Sequence, residues 1–176
     1  QGAVPPGEGA MAAILGLDDE AVIAACADAE QDEIVSAVNF NSPGQVVIAG
    51  QTEAVKRALE NAKSAGAKRA VMLPVSVPSH SQLMEPAAHD LAERLQKITV
   101  SVPTIKVINN VDVANASDPD AIRDALIRQL CNPVRWVESI EMMINDGAQA
   151  IIECGPGKVL MGLNKRINKQ IPAYAV

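Results

Sequence analysis

The stretch LPVSVPSHSQLMEP, residues 73–86, contains His80, one of only two histidines in the chain. Imidazole is the side chain best suited to taking up and returning a proton near neutral pH. Pro74 and Pro78 precede it and restrict the backbone, and a helix is expected just beyond. Loops at strand ends hold a disproportionate share of catalytic groups, and a stiff backbone keeps a base in place. The same residues also suit a histidine that is structural or simply exposed. His89 falls off the apolar stripe of the following helix and is read as solvated.

A base needs a group to activate. Ser79 and Ser81 adjoin His80, but direct neighbours seldom point at each other suitably, and no G-x-S-x-G elbow occurs in the chain. Cys26, Cys131 and Cys154 are far apart and form neither a disulfide framework nor a zinc pattern, so no metal site is expected. In NFNSPGQVVIAG the Ser-Pro-Gly is explained by turn chemistry. The amides of Asn39, Asn41 and Gln45 remain as candidates to meet a polar ligand. ECGPGKVL lacks the spacing of a phosphate loop and reads as a strand-to-helix turn, with a helix N-terminus that could assist an anion. Lys158, Lys165, Arg166 and Lys169 follow without an intervening acid, either as a solvated helix face or as a patch for an anionic partner.

These residues must be positioned by a chain that is 48% hydrophobic and only 2% aromatic. Its core is therefore built from Ala, Val, Ile, Leu and Met, which favours α/β layers over an aromatic-rich sandwich. Scarce aromatic rings argue against base stacking. A formal charge of −6 argues against a nucleic-acid partner. No apolar run is long enough to span a bilayer, so no membrane partner is expected. Widely spaced cysteines suit a reducing, cytoplasmic setting. The start, QGAVPPGEGA, reads as a loop entering a strand, as in a piece of something longer.

Along the chain, AMAAILGL reads as a strand and LDDEAVIAACADAE as a helix capped by Asp18. Two β-rich runs flank Asn41-Ser42-Pro43-Gly44. A helix capped by Thr52 carries Val55, Ala58, Leu59 and Ala62 at i, i+3, i+4, i+7 spacing and ends near Gly66. KRAVMLPV closes the pattern as a strand. The order is β-α-β-β-α-β over residues 9–76, the ferredoxin-like order. Beyond His80 the reading is a helix through Met84, Ala88, Leu91 and Leu95, then a strand in TIKVINNVDV. Helices follow from Asp118-Pro119 and from Pro133, then a short buried strand, QAIIEC, and a final helix. Alternating elements suggest an α/β sheet, though two or three strands are few for one.

GAMAAILGL, VNFNSPGQVVIAG, AGAKRAVMLPVSVPSH, VINNVDV, DAIRDALIRQLCNPVRW and ECGPGKVLMGLNKRI together resemble, in order and spacing, the malonyl-CoA:acyl-carrier-protein transacylase family. The resemblance covers essentially the whole chain. It implies an α/β (α+β) fold: a ferredoxin-like subdomain at residues 1–76, followed by the C-terminal part of an α/β-hydrolase-like subdomain at residues 77–176. It implies that His80 is the catalytic base, oriented by the backbone carbonyl of Gln129. It also implies ping-pong transfer of malonyl from CoA to carrier-protein phosphopantetheine, with no cofactor beyond the substrate malonyl-CoA. The family's nucleophilic serine, oxyanion-hole glutamine and carboxylate-binding arginine would precede Gln1. The chain alone is therefore expected to be inactive, and the full-length enzyme to be a monomer. Asn39 and Asn41 are placed near the acyl or pantetheine arm. The acidic carrier protein is expected to dock on Lys158, Lys165, Arg166 and Lys169, or else on Lys63, Lys68 and Arg69. Two other readings stand beside this one: a polyketide-type acyltransferase domain, and a non-catalytic ferredoxin-like binding module.

Overall fold

The structure, a computed structural model, describes residues 4–176. In the first half, strands and helices alternate as the periodicities require. β1 (Gly9–Leu15), α1 (Asp19–Glu30), β2 (Val35–Ser42), β3 (Gln45–Gln51), α2 (Thr52–Ser64) and β4 (Arg69–Met72) follow in chain order. The four strands form one sheet in the order β2-β3-β1-β4, with every neighbouring pair antiparallel. This is the split βαβ topology. Asp18 caps α1 by accepting from the amide of Ala21 at 2.8 Å. Thr52, expected to be a cap, is instead the first residue of α2, and its hydroxyl donates to the carbonyl of Gly7.

The core lies between the sheet and the two helices. Ala10, Ala12, Ile14, Val35, Val46 and Ile48 meet Val22, Ala25, Ala29, Val55, Ala58 and Ala62 there. Alanines on both helices let the helix backbones approach each other and the sheet closely. The Arg57 guanidinium donates to the carbonyl of Ala29 and pairs with Glu33, fastening α2 to the end of α1. Alternation turns Val38 to the other face of the sheet, and a register shift between Ala37 and Asn39 leaves Val38 without a paired residue and brings Asn39 opposite Val47 on that same face. There a smaller cluster forms from Met11, Val38, Val47 and Ala49.

A 3₁₀ turn (Gln82–Met84), α3 (Glu85–Leu95), α4 (Pro119–Gln129), α5 (Trp136–Asn145) and α6 (Val159–Ile167) are the helical elements of the second half. α5 and α6 pack against β2. The Trp136 indole donates to the Asn164 side chain at 3.0 Å, joining these two helices. Strand content is low. β5 (Ile108–Asn109) pairs with β6 (Ala114–Asn115), and β7 (Ile151–Glu153) runs parallel to β8 (Ala173–Ala175).

Three expectations fail here for local reasons. The strand expected across TIKVINNVDV shrinks to two residues. The Asn109 side chain accepts from the amide of Asp112 and donates to the carbonyl of Ala114, which folds the chain into a turn. The helix expected to open at Pro133 begins only at Trp136. Val134 is instead extended and pairs with the outer edge of β2: its amide donates to the Val38 carbonyl and its carbonyl accepts from the Phe40 amide. Finally, β7 is not buried, since Ile152 is 56% exposed.

Gly9, at the start of β1, lies directly under the loop that carries His80. A Cβ there would sit 2.8 Å from both Pro78 Cγ and the Ser76 carbonyl oxygen. Gly9→Ala should therefore destabilise the fold by about 1–3 kcal/mol, the usual cost of overpacking. Urea unfolding measures this directly. Wild-type stability in the variant would mean that the Pro78 loop yields freely.

Candidate active site

His80 is held from both sides along the chain. Pro78 is fully buried. The Ser81 hydroxyl, also buried, donates to the Pro78 carbonyl at 2.7 Å. Ser81 thus tightens the turn and is not aimed at the ring. The backbone of His80 itself is left-handed, with φ of 67°. Histidine tolerates this region better than most residues, yet it carries strain that the surroundings must hold.

The ring meets the other half of the molecule. His80 Nδ1 lies 2.8 Å from the carbonyl oxygen of Gln129, the last residue of α4. The final carbonyls of a helix have no intrahelical partner and are free to accept. With Nδ1–H donating to this oxygen, Nε2 is left unprotonated and able to take a proton. Among the described residues this is the only hydrogen bond of the ring.

The end of α4 is densely tied. The Arg128 guanidinium donates to both carboxylate oxygens of Asp112, at 2.7 and 2.8 Å, and to Asp124 at 2.6 Å. The Gln129 amide donates to the carbonyls of Asn132 and Pro133. The Asn132 amide donates back to the Arg128 carbonyl at 2.7 Å. The next residue but one, Val134, is in the sheet-edge pairing described above.

His80 opens on a cleft of about 510 Å³, lined also by Glu30, Asp32, Glu33, Gln82 and Cys131. Its rim is acidic on the α1 side. Burial, and to a lesser degree the charge of Glu85, pushes the Cys131 thiol above its ordinary range. A protonated thiol is a poor nucleophile, so Cys131 does not compete for that role. Among the described residues no group of three or more His, Cys, Asp or Glu side chains is arranged to hold a metal ion.

The other expected site residues fall elsewhere. Asn39 pairs with Val47 of β3, on the face that carries Val38 and not on the helix face, and its backbone bridges to Val134. Neither Asn39 nor Asn41 lines the His80 cleft. At the N-terminus of α6, where ECGPGK suggested a place for an outside anion, a carboxylate of the chain itself takes part of that place. The Glu153 carboxylate already accepts from the Met161 amide there, at 2.8 Å. Lys158, Lys165, Arg166 and Lys169 are all exposed, but Arg166 also donates to the Gln45 side chain at 2.5 Å, across the α6–β3 contact. Lys63 pairs with Glu60 in an exposed i, i+3 bridge.

The fold is an α/β one in which a split-βαβ layer presents a carbonyl-held histidine to an open cleft. The chain belongs to the acyl transferase domain family, whose family model matches residues 3–175. It is 59% identical over its whole length to the malonyl CoA-acyl carrier protein transacylase of Escherichia coli K12, and 46% identical to the one from Bacillus subtilis. Among solved structures it resembles an acyl carrier protein S-malonyltransferase from Vibrio cholerae, with a TM-score of 0.98 and 61% identity over the full chain. It likewise resembles a malonyl-transacylase in complex with its type II PKS acyl-carrier protein, with a TM-score of 0.97 and 55% identity over 99% of the chain. The chain spans about 57% of the length of these relatives.

The Arg128–Asp112 pair offers a check on the carbonyl's support. The hydrogen bonds from Arg128 hold the Asp112 carboxyl below its ordinary value of 3.8. Stability from a lowered carboxylate is complete above the ordinary value and is lost as pH falls through the lowered one. The stability gap between wild type and Asp112→Asn should therefore be constant near neutrality and shrink below about pH 4. Unfolding midpoints at a series of pH values measure it. A gap that widens on acidification would contradict the pairing.

Proposed function

We propose that the chain is part of a malonyl-CoA:acyl-carrier-protein S-malonyltransferase in which His80 is the proton carrier. The observation that carries this reading is the 2.8 Å contact between His80 Nδ1 and the Gln129 carbonyl, which leaves Nε2 as the base. High identity to transacylases over the whole chain supports the same reading.

His80 takes the proton of a serine that lies in the part of the enzyme beyond these residues. The serine oxygen attacks the malonyl thioester, and the C–S bond to CoA breaks. The departing thiolate receives the proton from His80. In the second half-reaction His80 takes the proton of the phosphopantetheine thiol, whose sulfur attacks the malonyl-serine ester. The serine oxygen leaves and is reprotonated. General acid–base help of this kind is worth roughly 10² to 10⁴ in rate. Splitting the transfer into two ester exchanges makes each step accessible. The reaction as proposed uses no metal and no redox cofactor.

The division we propose places a smaller ferredoxin-like subdomain at residues 1–76 and part of the larger acyltransferase subdomain at residues 77–176. Exposed apolar side chains on the second part suit packing against the remainder of a longer enzyme: Ile105 is 79% exposed and Val107 is 55% exposed. The enzyme so completed is read as a cytoplasmic monomer of fatty-acid biosynthesis. No described helix is long and apolar enough to cross a membrane, and Cys26, Cys131 and Cys154 are unpaired. Asn39 and Asn41 keep a proposed place near the acyl or pantetheine arm, Asn39 from the sheet face opposite α1 and α2.

In the full-length enzyme, His80→Ala should lower kcat by about 10² to 10⁴ without unfolding it. The 176 residues alone should give no transfer in the same malonyl-CoA assay. Near-normal turnover by the variant would make His80 structural, and turnover by the chain alone would place a nucleophile within it.

An acidic carrier protein calls for a basic dock. Reversing charge at Lys158, Lys165 and Lys169 should raise the KM for carrier protein while leaving that for malonyl-CoA unchanged. Lys63, Lys68 and Arg69 form the comparison set. Unchanged kinetics for both sets would remove the docking proposal.

A further inference from the structure

The main-chain oxygen that holds His80 belongs to a turn whose own shape is set by two side-chain amides. Gln129 Nε2 reaches forward to the carbonyls of Asn132 (3.1 Å) and Pro133 (3.3 Å). Asn132 Nδ2 reaches back to the carbonyl of Arg128, at 2.7 Å. The two amides cross over the same six residues and reach one carbonyl in the last turn of α4, that of Arg128, and two just beyond the helix, those of Asn132 and Pro133. The Arg128 carbonyl also accepts from the Cys131 amide, so the Asn132 bond is an additional restraint there, not a replacement for the helix's own pattern.

This brace has fixed points at both ends. Upstream, Arg128 is clamped by Asp112 and Asp124. Downstream, Val134 is paired with Val38 and Phe40 of β2. Between them only the Gln129 carbonyl turns outward to the imidazole. Asn132 and His80 line the same cleft, yet the Asn132 amide is spent on the backbone. The donors thus brace the backbone on both sides of the Gln129 carbonyl, the oxygen that meets the ring.

We propose that Asn132, together with the side chain of Gln129, is a positioning residue that fixes the Gln129 carbonyl and through it the Nδ1–H tautomer of His80. This deepens the acyltransferase reading and rests on it. Asn132 touches no reacting atom. Its contribution is to the fraction of time that Nε2 is unprotonated and correctly aimed, a contribution to kcat more than to substrate binding.

The test uses the full-length enzyme and Asn132→Leu, which keeps the branched shape and removes the donor. A thermal melt establishes folding. Kinetics with malonyl-CoA and carrier protein give kcat and KM separately. A long-range ¹H–¹⁵N spectrum of ¹⁵N-histidine-labelled enzyme reports the tautomer, with His80 assigned as the signal absent from His80→Ala. The expected result is a kcat lowered about five- to tenfold, the usual effect of one lost hydrogen bond, with KM for malonyl-CoA little changed. The His80 signal should move from the Nδ1–H form towards a mixture of tautomers. If Asn132→Leu does not fold, Gln129→Met removes the other arm while keeping the carbonyl, and carries the same expectations. A wild-type spectrum in a folded variant overturns the proposal, whatever its kcat. A mixed tautomer with wild-type kcat also overturns it as a catalytic device, and points at the same time to a failure in the assignment of His80 as the base. Loss of activity in His80→Ala together with an unchanged Asn132→Leu separates the two: the reaction reading stands and the brace falls.

Discussion

The whole arrangement turns on one hydrogen bond between parts of the chain far apart in sequence. His80 donates to the Gln129 carbonyl. One partner sits in a proline-stiffened loop that leaves β4; the other is the last residue of α4. The bond matters only if both ends are immobile. The His80 loop is seated by the buried Pro78 and by the Ser81 hydroxyl. It lies so close to Gly9 that β1 has no room for a side chain there. The Gln129 end is held by ion pairs, by amides and by the sheet edge. The left-handed backbone of His80 is consistent with this view, since strain at one residue persists only when its neighbours over-determine it.

The second constraint is the edge of the sheet. β2 is an outer strand, and an unpaired edge is a liability. Here Val134 supplies the missing partner. The same pairing protects the edge, anchors the turn after α4 and sets where α5 begins. Pro133 has no amide hydrogen, so it can neither continue α4 nor join the ladder, and it passes the chain to Val134 in extended form. α5 and α6 then cover β2 and hold to each other through Trp136 and Asn164, with Arg166 reaching Gln45. One edge strand thus connects the sheet to most of the second half.

The first half was legible because its signals are local and agree with one another. Period-two and period-3.6 runs, Asp18 as a cap and the Ser-Pro-Gly turn all favour the same six elements. The second half was less so. TIKVINNVDV has the composition of a strand, but the Asn109 amide outcompetes the ladder by making a turn. Pro133 has the look of a helix start, and only the distant edge of β2 explains why it is not one. His80 could be picked out by type and setting. Gln129 could not be read from its residue type, because the functional atom is a carbonyl that every residue has; resemblance to a family supplied it. Asn39 and Asn41 stand out in the sequence for their amides, whereas the β2 register shift sets the face that Asn39 occupies. Asn132 is not legible in the sequence for a related reason: its amide serves the backbone, and nothing in the sequence marks which carbonyl it meets.

A neutral carbonyl as the orienting group has a chemical consequence. A carboxylate in its place would fix the same tautomer but would also favour the charged imidazolium by direct attraction. A proton carrier working in both directions, as the proposed transfer requires of His80, must give its proton up as readily as it takes it. An acceptor without net charge fixes the tautomer and lacks the direct charge–charge attraction that a carboxylate would add. Negative charge is present nearby, at Glu30, Asp32 and Glu33, but it lies along the rim of the cleft, with Glu33 paired to Arg57. The design therefore separates two tasks that a carboxylate would merge: geometry is assigned to the backbone of α4, and charge is left to the surroundings. Such a separation is effective only if the backbone acceptor is as rigid as a side chain locked in a core. That requirement explains why so many donors converge on the six residues from Arg128 to Pro133 when only one carbonyl among them faces the ring.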